Sequence, residues 1–198
     1  MKRAIASQRA TSICVWNRRY SYVRLSGIRD MLNFTVGPVM SDSEVLAIGS
    51  EQVPYFRTPE FSKVMLQNEE LFLQFVDAPD NSRAVFLTGS GTASLEAAVA
   101  NVLSPKDKAL VIVGGSKRFS LLCDIHGVPH DDIEIPFGDT LTSETLAQFD
   151  QKGYTALLVN VHETSTGVLY DASMLSGFCK RNNMLFIMDA ISAFLADP

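Results

Sequence analysis

From residue 41 onward, two hydrophobic patterns alternate along the chain. Short apolar runs rich in β-branched residues predict strands, and stretches whose apolar residues recur every three or four positions predict helices. The predicted strands cover residues 83–88, 109–113, 133–135, 155–161 and 184–189. The predicted helices begin at residues 41–44 and at Thr58, and further helices cover residues 92–103, 117–126, 143–151 and 172–182.

This alternation predicts an α/β fold of three layers, α/β/α, in which helices cover both faces of a mostly parallel sheet. Residues 109–113 and 155–159 are almost wholly apolar, as strands covered on both faces must be. In such sheets, ligands bind where the strands end. We therefore expect four segments to surround one crevice: residues 88–92, 114–116, 162–166 and 189–192.

Glycine and hydroxyl residues fill the strand-to-helix turn at residues 88–93, which reads Thr-Gly-Ser-Gly-Thr-Ala. Free amides at the start of a helix, together with the positive end of the helix dipole, bind anions. The turn is therefore either a phosphate-binding site or an ordinary Ser/Thr helix cap beside a glycine turn. The turn by itself favours neither interpretation.

Nucleotide phosphates match this turn poorly. The triphosphate loop requires Gly-x-x-x-x-Gly-Lys followed by Ser or Thr, and the dinucleotide loop requires a third glycine where this chain has Ser94. Strand 109–113 is followed by two glycines and not by the acid that would hold a ribose. A compact phosphate that carries a small aromatic ring fits better.

Asp189 ends the last apolar strand. A carboxylate at that place needs a cation or several hydrogen-bond donors to offset its desolvation. One interpretation is that it caps the following segment, residues 190–192. The other is that it pairs with a pyridinium nitrogen and keeps that nitrogen protonated, which makes the ring a better electron sink.

Three of the strand-end segments resemble the class V aminotransferases, which are pyridoxal-phosphate enzymes of fold type I. They are residues 89–92 (Gly-Ser-Gly-Thr), 162–169 (His-Glu-Thr-Ser-Thr-Gly-Val-Leu) and 188–192 (Met-Asp-Ala-Ile-Ser), and they follow the family's order and spacing. Residues 34–39 and 56–61 are also similar to that group. The resemblance covers residues 31–198. It is greatest to the 2-aminoethylphosphonate–pyruvate and alanine–glyoxylate aminotransferases, and it implies an incomplete large domain.

The resemblance implies a site for pyridoxal 5'-phosphate. Ser90, Gly91 and Thr92 are expected to bind the phosphate. Thr164 is expected to hydrogen-bond near the phenolic oxygen of the ring, and Asp189 is expected to hold the pyridine nitrogen.

The same resemblance implies substrates and a partner. Gly37 is expected to border the substrate by its backbone, and Arg57 to lie near the active site or the dimer interface, although an exposed surface arginine is an equally good interpretation. The reaction moves an amino group from a small amino donor to a 2-oxo acid, and the intact enzyme is expected to be a homodimer.

Two departures from the family pattern bear on activity. The segment at residues 114–119, Gly-Gly-Ser-Lys-Arg-Phe, lacks the aromatic residue that stacks on the cofactor ring, and we expect Phe119 to pack in the core with Leu122 and Cys123. The family's Schiff-base lysine lies beyond the Asp189 strand, and none of the lysines here fits that position, so no catalytic residue is assigned. The expectation is a truncated, inactive fragment of an aminotransferase.

Two alternatives remain. The first is a related pyridoxal-phosphate lyase or desulfurase, which requires a mobile nucleophilic cysteine, whereas Cys123 and Cys179 lie on predicted helix faces typical of the core. The second is a catalytically inactive binding or dimerisation module, which the absent lysine supports.

Charge divides the chain unequally. Residues 1–30 hold seven basic residues and one acid, whereas residues 31–198 are strongly acidic. This basic segment is a disordered transit peptide, a nucleic-acid or membrane arm, or spurious translation before a start at Met31, which we favour.

The remaining composition narrows the setting of the protein. Three scattered cysteines indicate a reducing compartment, so we expect a cytoplasmic protein, or an organellar one if residues 1–30 are a transit peptide. The histidines and cysteines have no metal-binding spacing, and no apolar run approaches the roughly 20 residues of a membrane-spanning helix. Metal, nucleic-acid and membrane partners are not expected.

Overall fold

The structure is a computed structural model that describes residues 32–33, 35, 37–194 and 196. The chain divides into two units, Met1–Ser43 and Glu44–Pro198. The basic segment at residues 1–30, for which a disordered or spurious extension is predicted, lies outside the described residues.

The helices and strands follow the predicted order with two exceptions, at residues 83–88 and at the hairpin of residues 162–169. The helices are α1 (Ser43–Ile48), α2 (Pro59–Phe75), α3 (Gly91–Val102), α4 (Arg118–His126), α5 (Ser143–Ala147) and α6 (Ala172–Asn182). The strands are β1 (Ala109–Val113), β2 (His130–Glu134), β3 (Ala156–Asn160), β4 (His162–Glu163), β5 (Val168–Leu169) and β6 (Leu185–Asp189). The β4–β5 hairpin, which carries residues 164–167 in its turn, is not predicted by the sequence patterns.

Side-chain caps begin three of the helices. The Thr58 hydroxyl accepts from the amide of Phe61 at 3.2 Å, and Pro59 occupies the first helical position. Thr142 caps α5 and Asp171 caps α6 by the same kind of contact. These caps explain why the predicted helix starts are accurate, since each cap satisfies an amide that the helix itself leaves unpaired.

The main sheet has four parallel strands in the order β2-β1-β3-β6. Its register aligns Val113 with Glu134 and Asn160 with Asp189. The strands therefore end together at one edge of the sheet, which we call the carboxyl edge.

Each face of the sheet has its own core, as the three-layer prediction requires. One core, with α3 and α4, contains Leu95, Val99, Leu103, Ala109, Val111, Val113, Phe119, Leu122, Cys123, Val128, Ala156 and Leu158, and Ile187 packs against it. The other, with α5 and α6, contains Leu110, Ile112, Ile133, Leu141, Leu146, Tyr154, Leu157, Val159, Tyr170, Leu175, Phe178 and Cys179. All five residues of β1 are buried.

The predicted strand at residues 83–88 is wrong. The segment is irregular and pairs with no strand among the described residues, and Val85 is 80% exposed. At its start, the Glu69 carboxylate accepts from the Arg83 guanidinium at 2.6 Å and from the Ala84 amide at 3.1 Å, and further along the Phe86 ring meets the Phe72 ring edge-on, 6.2 Å between centroids. An apolar run indicates a tendency to be buried, but a strand also needs a neighbouring backbone to pair with.

Lys108, Asp131 and Tyr154 form a polar cluster at the opposite edge of the sheet. The Asp131 carboxylate accepts from the Lys108 ammonium at 2.7 Å and from the Tyr154 hydroxyl at 2.7 Å. Both contacts lower the pKa of Asp131, the Lys108 hydrogen bond most. The cluster therefore joins the starts of β1, β2 and β3.

We expect Tyr154→Phe to lower the free energy of unfolding by about 1 kcal/mol, because one hydrogen bond to a charged group is lost. Since folding lowers the pKa of Asp131 below its ordinary value of 3.8, the stabilisation is complete above that pH and declines as the pH falls further. Urea unfolding at pH 7 and pH 3 measures both effects. The control Tyr55→Phe removes an exposed hydroxyl and is expected to change nothing; an equal loss in both variants would contradict the assignment.

Candidate functional site

The N-terminus of α3 and the side chain of Asp189 share one edge and one face of the sheet. Helix α3 is followed by a six-residue connection to β1, so it runs antiparallel to the strands and begins at the carboxyl edge. It packs on the face that Ile187 occupies. Because alternate residues of a strand share a face, Asp189 points to the same side as Ile187.

The start of α3 keeps its hydroxyl groups available. Ser90 is the N-cap residue, but its side chain makes no capping hydrogen bond, and the Ala93 amide bonds instead to the Ser90 carbonyl at 2.9 Å. The first amides of a helix have no intrahelical acceptor. Among the described residues, therefore, nothing satisfies the Ser90 hydroxyl, and Gly91 is exposed with no atom within 4 Å of a Cβ placed on it.

One carboxylate oxygen of Asp189 caps the segment at residues 190–192, and the other is available to a further partner. Its Oδ1 accepts from the Ile191 amide at 3.0 Å, and its carbonyl accepts from the Val161 amide at 3.0 Å. Within the described part of the chain, Oδ2 accepts no hydrogen bond. The side chain is half-buried, so this oxygen can receive a donor from a ligand at the carboxyl edge.

Thr164 lies in the β4–β5 turn and is tied to the segment after β6. Its hydroxyl and the Ser192 hydroxyl are 2.7 Å apart, and either can donate. Whichever hydroxyl accepts this bond retains its own hydrogen for a further acceptor. Ser192 is a site residue to which the sequence analysis assigns no role, although it belongs to the motif at residues 188–192.

A buried carboxyl lies beside Thr164. Glu163 is 2% exposed, and burial raises the pKa of its carboxyl above the usual range. The backbone amides of Ser116 and Gly114 oppose that shift, while the charge of Asp189 adds to it. Sequence reasoning assigned Glu163 no role; the signal for it was an acid two residues beyond the predicted apolar strand at 155–161.

Gly37 and Arg57, the two residues predicted to contact substrate, take no part in the hydrogen bonds described above. Gly37 lies in the first unit, near the hydrogen bond in which the Asn33 amide group donates to the Pro38 carbonyl at 2.7 Å. Arg57 lies in the second unit and is exposed, with its guanidinium 5.0 Å from the centre of the Phe56 ring. Their predicted roles stay predictions.

The segment at residues 114–119, which lacks the family's stacking aromatic residue, has its phenylalanine and its lysine side chains engaged elsewhere. Phe119 is buried in the core with Leu122 and Cys123, as predicted, and it offers no ring to the crevice. Lys117 pairs with Glu134. In the described ranges no three His, Cys, Asp or Glu side chains are placed to hold a metal ion.

No helix in the described part of the chain has the length and apolarity needed to cross a membrane.

We expect Gly114→Ala to destabilise the protein by about 1–3 kcal/mol, because an added Cβ would lie 1.9 Å from the buried Tyr170 hydroxyl oxygen. Tyr170→Phe removes that oxygen, which has no hydrogen-bond partner in the described residues, and it is expected to be nearly neutral alone and to restore part of the loss. Urea unfolding of the single and double variants measures this. Gly91→Ala, in open space, is the matched control; a double variant no more stable than Gly114→Ala would argue against the close approach.

Cys123 and Cys179 are expected to resist alkylation in the folded protein, since burial raises the pKa of each thiol to about 11. The measurement is the rate of iodoacetamide labelling at pH 8 in a Cys14→Ser background, before and after unfolding in guanidinium. Labelling of both thiols only after unfolding is the expected result. Rapid native labelling of either one would revive the desulfurase interpretation.

Comparison with known proteins agrees with this arrangement. Residues 53–198 match the family described as aminotransferase class-V. The chain is 27% identical over 176 residues to (S)-ureidoglycine–glyoxylate transaminase of Bacillus subtilis, covering 85% of this chain and 42% of that protein. It is 28% identical over 144 residues to 2-aminoethylphosphonate–pyruvate transaminase of Pseudomonas putida, covering 70% of this chain and 39% of the relative.

A solved structure shares the fold. Alanine–glyoxylate aminotransferase from Nostoc superposes with a TM-score of 0.78 at 23% identity, covering 83% of this chain and 44% of that structure. The sheet and its helices thus share the α/β fold of the type I pyridoxal-phosphate aminotransferases. The chain spans less than half the length of these relatives.

Proposed function

We propose that this chain, which belongs to the class V aminotransferase family, binds pyridoxal 5'-phosphate at the carboxyl edge of its sheet. The observation that carries the proposal is the start of α3, where the Ser90 hydroxyl serves no cap and the helix points its first amides at the same side that Asp189 faces. The donor set fits a phosphate, and a carboxylate oxygen on the same face fits a protonated ring nitrogen.

Each residue has a stated part in this proposal. Ser90, Gly91 and Thr92 bind the phosphate through hydroxyl and amide donors, aided by the helix dipole. Asp189 presents Oδ2 to the ring nitrogen while the Ile191 amide holds Oδ1 in place.

Thr164 and Ser192 act as a pair. Their mutual hydrogen bond orients the Thr164 hydroxyl toward the phenolic oxygen of the ring. When bound, the cofactor supplies an electron sink that weakens bonds at the amino-bearing carbon of a substrate.

For the whole protein, we propose transfer of an amino group from a small amino donor to a 2-oxo acid. The acceptors in the relatives' names, glyoxylate and pyruvate, are both small 2-oxo acids. Gly37 and Arg57 are proposed to border the substrate. A homodimer and a cytoplasmic location, or an organellar one if residues 1–30 are a transit peptide, complete the proposal.

Residues 31–198 are proposed to be the part of an aminotransferase large domain that carries the cofactor's phosphate and ring contacts, with residues 1–30 outside it. Lys108 and Lys117, which flank β1, are both held in ion pairs, so we propose that neither reacts with the cofactor.

We expect the purified chain to bind 4-deoxypyridoxine 5'-phosphate, a cofactor analogue that keeps the ring and phosphate but has no aldehyde to react with a lysine. Ser90→Ala combined with Thr92→Ala is expected to weaken binding roughly 10- to 100-fold, since hydrogen bonds to a charged group are lost. Isothermal titration measures the affinity.

Ser94→Ala is the matched control, because it removes an exposed hydroxyl one turn further along α3. It is expected to bind as the unmodified chain does. Equal affinity in all three proteins would place the phosphate elsewhere and overturn the proposal.

A further inference from the structure

Two polar side chains are buried beneath the carboxyl edge without a use in the cofactor contacts. Glu163 and Tyr170 are each 2% exposed. Within the described residues, the Oε1 atom of Glu163 and the hydroxyl of Tyr170 have no hydrogen-bond partner. Buried polar atoms without partners are costly, so their presence calls for an explanation.

The loop after β1 is pressed against this pair. The Glu163 side chain lies against this loop, since a Cβ placed on Gly114 would be 3.2 Å from its Cγ and one placed on Gly115 would be 3.0 Å from its Oε2. A Cβ placed on Gly114 would lie 1.9 Å from the Tyr170 oxygen, and one placed on Gly115 would lie 2.4 Å from the Ser165 hydroxyl oxygen. A larger residue at either position would require the Tyr170 or Ser165 side chain, or the loop itself, to shift.

This contact joins two of the strand ends that surround the crevice. Residues 114–116 follow β1, whereas Glu163 immediately precedes Thr164 on the β4–β5 hairpin. Thr164 is in turn bonded to Ser192, beyond the end of β6. Glu163 thus connects the loop after β1 to the turn that carries Thr164, which is itself hydrogen-bonded to Ser192.

We propose that Glu163 is a positioning residue for the cofactor site, whose buried side chain holds the loop at residues 114–116 against the turn that carries Thr164. This inference rests on the proposed function. Glu163 is not among the residues proposed above to contact the phosphate or the ring.

The electrostatic surroundings favour the neutral carboxyl. Burial raises the pKa of Glu163, and the charge of Asp189 on β6 adds to that effect, while the amides of Ser116 and Gly114 oppose it. Tyr170 is the other titratable group beside it among the described residues, and its own pKa is raised by burial and by the Glu163 charge. Neither neighbour is a cation that would stabilise an ionised Glu163.

The sign of the pH dependence follows. Because folding raises the pKa of Glu163 above its ordinary value of 4.5, the neutral carboxyl stabilises the fold fully below that pH. That contribution declines as the pH rises through the folded pKa. Glu163→Gln cannot ionise, so it is expected to remove this part of the pH dependence.

The test compares Glu163→Gln and Glu163→Ala with the unmodified chain. Hydrogen exchange of the amides at residues 114–116, without cofactor, reports on the loop. The affinity for 4-deoxypyridoxine 5'-phosphate from pH 5 to pH 9 reports on the site. Glu51→Gln, which makes the same change on an exposed carboxylate, is the control.

We expect Glu163→Gln to keep the amide protection, to bind the analogue within about threefold of the unmodified chain at pH 5, and to lose the decline in affinity toward pH 9. Glu163→Ala is expected to exchange these amides at least tenfold faster and to bind at least tenfold more weakly. Unchanged protection in Glu163→Ala, or an unchanged pH profile in Glu163→Gln, overturns the inference.

The experiment distinguishes failure of the positioning role from failure of the proposed function. If Glu163→Ala does not fold, the pH profile of Glu163→Gln decides, because a purely structural side chain would leave that profile as it is in the Glu51→Gln control. If the unmodified chain does not bind the analogue, the proposed function fails. The exchange of the loop amides in Glu163→Gln across the same pH range still decides the positioning role.

Discussion

The burial of β1 and β3 on both faces is the constraint from which the rest of this structure follows. Helices pack on each side of these strands, so no polar side chain can leave the sheet along their length. Polar side chains that could contact a ligand are therefore found only at the ends of these strands. Because all four strands are parallel and in register, those ends collect at one edge, where α3 also begins.

The carboxyl edge has exposed polar groups at its surface and buried polar side chains beneath them. Ser90, Thr164 and Asp189 present groups that the described residues leave partly unsatisfied, whereas Glu163 and Tyr170 are buried beneath them. A free surface donor costs little, since water can satisfy it, but a buried one is expensive. The difference separates groups that can serve a ligand from groups that hold the loops in place.

Sequence reasoning was strongest where a local physical rule applies. The caps at Thr58 and Thr142 and the continuous apolar run of β1 depend on neighbours within a few residues, and the structure has helices and a strand there. It failed at residues 83–88, where the pattern showed a need for burial but pairing depends on a distant backbone. It assigned no role to Ser192 or Glu163, since their partners are 28 and 47 residues or more away along the chain.

The sequence by itself determined the fold class, the family and the identity of the groups at the strand ends, because periodicity, caps and motif order are properties of short segments. Only the tertiary structure decided what those groups do. It showed that the Ser90 hydroxyl is not used as a cap, that Asp189 shares a face with α3, and that Glu163 is buried against Gly114. Each of these depends on which chain segments pack together, and burial and hydrogen-bond satisfaction exist only once they have done so.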